Sequence, residues 1–167
     1  MEDELKDFRL SGEVIKKLND ENLLKKEIAL GKSAQEIIGF TDEVMAKFYG
    51  AAYQLFEHKR YQDAANAFLF LATLNPHNYE YWLGLGMASQ LGHNYEAAID
   101  AYELAAIINI ENPVAYFYLA KCLFAIHDRE SALQALEIAI EMAGDDPDFN
   151  ELKNQAEAAR ALLLNHP

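Results

Sequence analysis

Apolar and small residues recur through the middle of this chain with a period of 34. Within each period they fall three or four positions apart, which is the spacing of one helix face and not the alternation of a strand. Each period holds two such amphipathic stretches joined by a short polar turn, so the pattern predicts helix hairpins. The recurring columns are Phe48/Trp82/Tyr116, Ala51/Leu85/Leu119, Ala52/Gly86/Ala120, Ala64/Ala98/Ala132, Phe68/Tyr102/Leu136 and Leu71/Ala105/Ala139.

Capping residues set the expected helix bounds. Thr41 precedes Asp42 and Glu43, as at a helix N-terminus, and Pro113 and Pro147 occupy first-turn positions. In the N-terminal region the pattern predicts a helix over about residues 11–30, with a break near Asn19-Asp20, and a short amphipathic turn over 33–38. The helices that follow are predicted over about residues 42–57, 61–73, 79–91, 95–108, 113–126, 129–143 and 147–164.

The columns match the tetratricopeptide signature, in which W-x2-L-G is followed by A-x3-F and then by P. The predicted fold is all-α, a tetratricopeptide-repeat superhelix of three helix hairpins with an N-terminal helical extension and a C-terminal capping helix. We expect a flexible tail over 1–10, the extension over 11–40 and one domain over 41–167. In that domain the repeats cover about 45–78, 79–112 and 113–146, and the cap covers 147–164. Stacked hairpins form a concave groove, which indicates binding and not catalysis.

The first helix of each hairpin is expected to line this groove. Its groove-facing positions recur at spacings of three or four, and several are aromatic although stacking does not require aromatic residues there. The predicted groove residues are Tyr49, Tyr53, Phe56, Leu83, Met87, Phe117, Tyr118, Lys121 and Phe124, together with Gln90.

Two interpretations of these positions stay open. They form pockets for a peptide, or the terminal helices fold into the groove and cover them. Under the first interpretation, Tyr53→Ala or Phe117→Ala weakens binding and leaves thermal unfolding nearly unchanged. A clamp for a peptide carboxylate is disfavoured, because it needs several cations and Lys121 is alone.

The net charge of −13, from 14 basic and 27 acidic residues, is spread along the chain. No basic stripe is present, which argues against nucleic acid and anionic membranes as partners. The N-terminus lacks the apolar core of a signal peptide, and no apolar run is as long as a membrane span. We therefore expect a cytoplasmic protein.

No enzymatic or cofactor chemistry is predicted. Cys122 is the single cysteine, so no internal disulfide can form. His58, His93 and His127 recur near the inter-helix turns, too far apart to share one metal ion. The GLG of residues 84–86 lies inside a helix and lacks a phosphate-loop ending, so it is read as packing.

Four segments resemble the class II chaperones of bacterial type III secretion, which serve the translocator proteins that form a pore in the host membrane. They are Tyr81–Met87 (YWLGLGM), Tyr95–Tyr102 (YEAAIDAY), Ala106–Pro113 (AIINIENP) and Ala120–Leu123 (AKCL). The resemblance runs from about Ser33 to Leu164.

The resemblance implies a bacterial cytoplasmic, non-enzymatic chaperone that binds an extended translocator segment, with proline and apolar anchors, in its concave groove. Binding would keep the translocator soluble and competent for secretion. It also implies a homodimer through the N-terminal helices. Because a filled groove leaves the convex face unused, that face is available to a second component of the export apparatus. The alternative is a repeat-protein adaptor that links two components of a secretion or regulatory complex.

Overall fold

The computed structural model describes residues 10–165, and within that range the chain is helical without a strand. The predicted all-α class is thereby confirmed. A 3-10 turn at Pro147–Phe149 precedes the last helix. The helices are α1 Gly12–Asn19, α2 Glu21–Ala29, α3 Ala34–Ile38, α4 Asp42–Glu57, α5 Tyr61–Leu74, α6 Tyr79–Leu91, α7 Tyr95–Ile108, α8 Val114–Ala125, α9 Arg129–Ala143 and α10 Asn150–Asn165.

Side-chain caps fix several helix starts. The Ser33 hydroxyl accepts from the Glu36 N–H while the Glu36 carboxylate accepts from the Ser33 N–H at 2.7 Å, a complete capping box for α3. The Thr41 hydroxyl accepts from the Val44 N–H at 3.3 Å, so α4 begins at the position that the sequence predicts.

One turn geometry repeats after the first helix of each hairpin. Lys59, His93 and His127 are 34 residues apart and have φ values of 60°, 61° and 66°. The residue after each donates its N–H back to a carbonyl five positions earlier, for example Arg60 to Leu55 at 2.9 Å. This is the hydrogen bond that closes a Schellman motif. The two histidines are therefore left-handed turn residues.

Cα packing divides the chain into two compact units, one ending at Tyr81 and the other beginning at Trp82, inside α6. The predicted domain bounds stay a prediction, and the tail predicted over residues 1–10 lies outside the described residues except for its last position. In the first unit, α1 and α2 contain no buried residue, whereas α3 buries Ile37 and Ile38. The Gln35 amide donates to the Asp42 carboxylate at 3.0 Å and so joins α3 to the start of α4.

The second unit has a continuous core. Its buried members are Ala98, Tyr102, Phe117, Leu119, Ala120, Cys122, Ala135, Leu136, Ala139 and Ala156. Tyr102 is fully buried and donates its hydroxyl to Gln90 Oε1 at 2.8 Å. A Cβ added at Gly86 would lie 2.5 Å from the Tyr102 ring, so this position requires glycine while that ring is present.

The last helix is held on α9. Ala156 is fully buried, and Arg129 Nη2 donates to the Leu163 carbonyl at 2.7 Å. The Lys153 ammonium donates to the Gly144 carbonyl that ends α9. Because α10 packs on one side only, it has the amphipathic character expected of a terminal cap.

Candidate functional site

In the first unit, α4 presents an aromatic surface. Tyr53 is 48% exposed and stacks on Phe56, with ring centroids 6.3 Å apart. Phe56 in turn meets Tyr61 of α5 edge-on at 5.7 Å. Because Tyr53 and Phe56 are three residues apart on one helix, they share a face. We call Tyr53, Phe56 and Tyr61 the α4 aromatic surface.

Tyr49 lies deeper in the same unit. Its ring packs edge-on against Phe68 and at a tilt against Tyr81, and both centroid distances are 5.8 Å. Burial, and secondarily the nearby Glu80 carboxylate, raises the pKa of the Tyr49 phenol. Tyr49 thus contributes more to packing than the sequence predicts for a groove position.

In the second unit, Leu83 and Met87 are partly buried and pack against the core. Tyr118 is also partly buried and stacks on Tyr102 at 5.9 Å. Phe117 is only 4% exposed. The sequence-based expectation that Phe117→Ala leaves stability unchanged therefore conflicts with the burial of this ring.

Lys121 lies over the rings of Phe117 and Tyr118, one turn earlier on α8. Its ammonium is 4.4 Å from the centroid of Phe117 and 5.0 Å from that of Tyr118. These distances are those of a cation–π interaction. Desolvation lowers the pKa of this lysine. Between residues 10 and 165, no carboxylate forms an ion pair with it.

An apolar pocket of about 280 Å³ opens beside Lys121 in the second unit, between α8, α9 and α10. Phe124, which is 53% exposed, stands among its lining residues. The lining consists of Phe117, Ala120, Lys121, Phe124, Leu136, Gln155, Ala159, Leu162 and Leu163. We call it the α8–α10 pocket.

Three of the predicted groove residues thus line one pocket, and four of its nine lining residues belong to the last helix. Gln155, Leu162 and Leu163 belong to α10, which the sequence predicts only as a cap. The sequence feature that could have pointed to this wall is the run Leu162-Leu163-Leu164. Leu162 and Leu164 are 62% and 59% exposed, although the solvent-facing side of a capping helix does not need apolar residues.

The described residues offer little for catalysis or metal binding. Among residues 10–165, no group of three His, Cys, Asp or Glu side chains is arranged to hold a metal ion. Burial raises the pKa of the Cys122 thiol to about 11, so the reactive thiolate is scarce at neutral pH. None of the described helices combines the length and the apolar character needed to cross a membrane.

Two tetratricopeptide-repeat family profiles match the chain, one over residues 45–78 and the other over residues 92–156. The chain is also similar to low calcium response locus protein H of Yersinia pseudotuberculosis. The two are 30% identical over 115 residues, which is 69% of this chain and 68% of that relative.

Two solved structures are similar in fold and sequence. The first is the Yersinia enterocolitica type III secretion chaperone SycD in complex with a peptide of the translocator YopD. It is 26% identical with a TM-score of 0.71, over 74% of this chain and 94% of that one. The second is the CopN–Scc3 complex, 28% identical with a TM-score of 0.76, over 92% of this chain and 89% of that one.

Proposed function

This chain belongs to the class II tetratricopeptide-repeat chaperones of type III secretion, and from that premise we propose that it binds an extended segment of a membrane-inserting translocator protein. Binding keeps the translocator soluble and competent for secretion. Support comes from SycD, which is solved with a translocator peptide. The protein acts in the bacterial cytoplasm, before export, and as a binding protein without catalysis.

The observation that carries this proposal is the α8–α10 pocket. Its walls are almost wholly apolar, and it has room for one aliphatic or proline side chain. Burying such a side chain contributes about 1.5–3 kcal/mol before ordering costs. A translocator segment with spaced apolar anchors supplies side chains of this kind.

Lys121 adds a preference to the pocket. Its ammonium is partly desolvated and has no carboxylate partner among the described residues. An acidic residue next to the apolar anchor would pair with this ammonium in a charge-assisted hydrogen bond. We propose that the bound segment has such a residue.

The α4 aromatic surface provides a separate contact in the first unit. Tyr53 is nearly half exposed, and its ring leaves one face free for an apolar side chain of the segment. Large aromatic side chains of this kind often dominate the energetics of peptide contacts. Tyr53 and Phe124 are thus the two most accessible aromatic residues among the predicted groove residues.

The test is co-expression of a tagged copy of this protein with the translocator encoded nearest its gene. We expect a soluble complex that purifies on the tag. Tyr53→Ala and Phe124→Ala should each weaken it about tenfold, while Leu69→Ala, which removes an equally exposed side chain from α5, should not. Lys121→Met should weaken the complex by less than either aromatic variant does. This loss should be larger at low salt than at high salt, because salt screens the charge of Lys121.

Two results would contradict the proposal. One is a translocator that stays insoluble while this protein purifies alone. The other is equal weakening by Leu69→Ala, which would mean that any loss of surface apolar area has the same effect.

The N-terminal helices suit self-association. Ile15 of α1 and Ile28 of α2 are 46% and 57% exposed on helices that have no buried residue, and Leu30, directly after α2, is 67% exposed. We propose that they form a homodimer contact. In sedimentation equilibrium, Ile28→Gln/Leu30→Gln should shift dimer to monomer, and an unchanged mass would exclude this surface.

A further inference from the structure

The exposed face of α7 carries acidic side chains in its first half and aliphatic ones in its second. Spacings of four, three, one and three place five residues on one side of the helix, opposite its buried residues. Ile110 continues the row in the turn that follows α7. We call this row the α7 stripe, with an acidic half of Glu96, Asp100 and Glu103 and an aliphatic half of Leu104, Ile107 and Ile110.

The aliphatic half is unusually accessible. Ile107 and Ile110 are 70% and 72% exposed, more than the other large apolar residues described. The equivalent residues one repeat earlier are Thr73 and Pro76, and Glu141 stands at the later equivalent of Ile107. The repeat fold therefore does not require these two isoleucines, which makes them candidates for an intermolecular contact.

The negative charge around the α7 stripe favours a basic partner. The sequence contains no Lys or Arg from residue 61 to residue 120. None of the carboxylates of the α7 stripe has an ion pair within the part of the chain that the structure describes. Glu111 adds a further exposed carboxylate next to Ile110. The stripe is thus an apolar patch at the end of an unpaired acidic row.

We propose that the α7 stripe is a docking surface for an amphipathic helix of another protein, with Lys or Arg residues facing the acidic half and aliphatic residues facing the other half. A helix is favoured because its i, i+3 and i+7 side chains reproduce the linear spacing of the stripe. The stripe contains no predicted groove residue, so this partner differs from the translocator segment.

A second copy of this chain is a poorer occupant. A parallel pair of α7 stripes would bring their carboxylates together, and an antiparallel pair would cover the carboxylates of each with the aliphatic half of the other. Neither arrangement supplies a cation, since no Lys or Arg lies nearby in the sequence. Like charges held in contact destabilise an interface. The basic partner removes that repulsion.

The test uses two labelled 14-residue helical peptides as probes, read by fluorescence anisotropy with the full chain. Both carry leucine at i, i+3 and i+7. One carries lysine on the same face, and the other carries glutamate there. We expect the lysine peptide to bind, the glutamate peptide not to bind, and Ile107→Gln/Ile110→Gln to weaken binding at least about tenfold.

A matched pair of charge reversals separates the stripe from general acidity. Glu96→Lys/Glu103→Lys changes the stripe, and Glu130→Lys/Glu137→Lys makes the same change at the equivalent exposed positions of α9. The first should abolish binding of the lysine peptide and the second should leave it within about twofold. Prior formation of the translocator complex should not alter binding.

Three results would overturn the inference. Equal binding of the two peptides, or equal loss in the α9 variant, would mean that no specific surface exists. A dimer that Ile107→Gln/Ile110→Gln converts to monomer would assign the stripe to a second copy. All three are distinguishable from failure of the translocator proposal, because they leave the soluble translocator complex unaffected.

Discussion

Helices α4 and α8 occupy the same place in their repeats, yet equivalent residues on the two helices differ in how far they are exposed to solvent. Tyr49 and Phe117 are equivalent residues, and Tyr49 stays partly accessible while Phe117 is 4% exposed. The order reverses in the column of Phe56 and Phe124, where Phe56 is partly buried and Phe124 is 53% exposed. Repeat position alone thus does not determine exposure.

The two helices have different neighbours. Helix α10 packs beside α9 and forms with α8 a pocket that both Phe117 and Phe124 line. In the first unit, the corresponding contacts come from Phe68 and Tyr81, whose rings support Tyr49 and leave Tyr53 open. A terminal helix therefore turns an open aromatic surface into a walled pocket.

The largest expected effect comes from removing the two equivalent rings. Phe117→Ala should lower the free energy of unfolding by about 3–5 kcal/mol, because it leaves a cavity in the core of the second unit. Tyr49→Ala should cost less, about 2 kcal/mol, since the ring is partly accessible. Chemical denaturation followed by circular dichroism measures both.

Phe124→Ala is the control for this pair and should stay within about 0.5 kcal/mol of wild type. If Phe117→Ala were equally mild, the ring would belong to the accessible surface and the contrast between α4 and α8 would disappear.

A smaller effect distinguishes the close-packing column. Gly86→Ala should destabilise by about 1–3 kcal/mol, because the new Cβ would meet the Tyr102 ring. Ala52 and Ala120 hold the same column in the other two repeats, where Phe68 and Leu136 stand in the column of Tyr102.

A double-mutant cycle sharpens this test. In the Tyr102→Leu background, which reproduces the Ala120–Leu136 pair, Gly86→Ala should be neutral or stabilising. A penalty that persists without the ring would place its cause in the helix itself.

The smallest expected effect is common to both units. His93→Gly should stabilise the protein by about 0.5–1 kcal/mol, because glycine adopts the left-handed conformation without steric cost. Lys59→Gly and His127→Gly should stabilise the protein by a similar amount, because all three turns share one backbone conformation. The turns of the two units are therefore alike, although the exposure of equivalent residues on α4 and α8 differs.

Asn94→Gly is the control for His93→Gly, because the same replacement one residue later should destabilise the protein. The Asn94 side chain accepts from the Ala97 N–H at 3.3 Å and caps α7, so its loss should lower the melting temperature. A destabilising His93→Gly would mean that the imidazole has contacts worth more than the relief of its backbone.

Much of the fold follows from local patterns. The helix starts at Asp42 and Tyr61 and the break at Asp20 agree with the sequence because caps and turn residues act over a few positions. The small and large repeat columns predict that small residues of one helix lie close to large residues of another, and the contact of Gly86 with Tyr102 is one such case.

The site is less predictable because exposure depends on neighbours that are distant in sequence. Phe117 and Phe124 lie two turns apart on one helix and both line the α8–α10 pocket, yet one ring is buried in the core and the other is more than half exposed. The role of Leu162 in the pocket is hidden for the same reason. A repeat alignment does not include it, since α10 stands outside the three hairpins.

The position of α10 has a consequence for how cargo preference could diverge among related chains. Leu162 is 62% exposed and Gln155 is exposed as well, yet both shape the α8–α10 pocket. Substitutions at these two sites would change the size and polarity of the pocket at little thermodynamic cost, because surface positions tolerate exchange. Specificity can thus drift, or be engineered, in one terminal helix while the repeats stay constant.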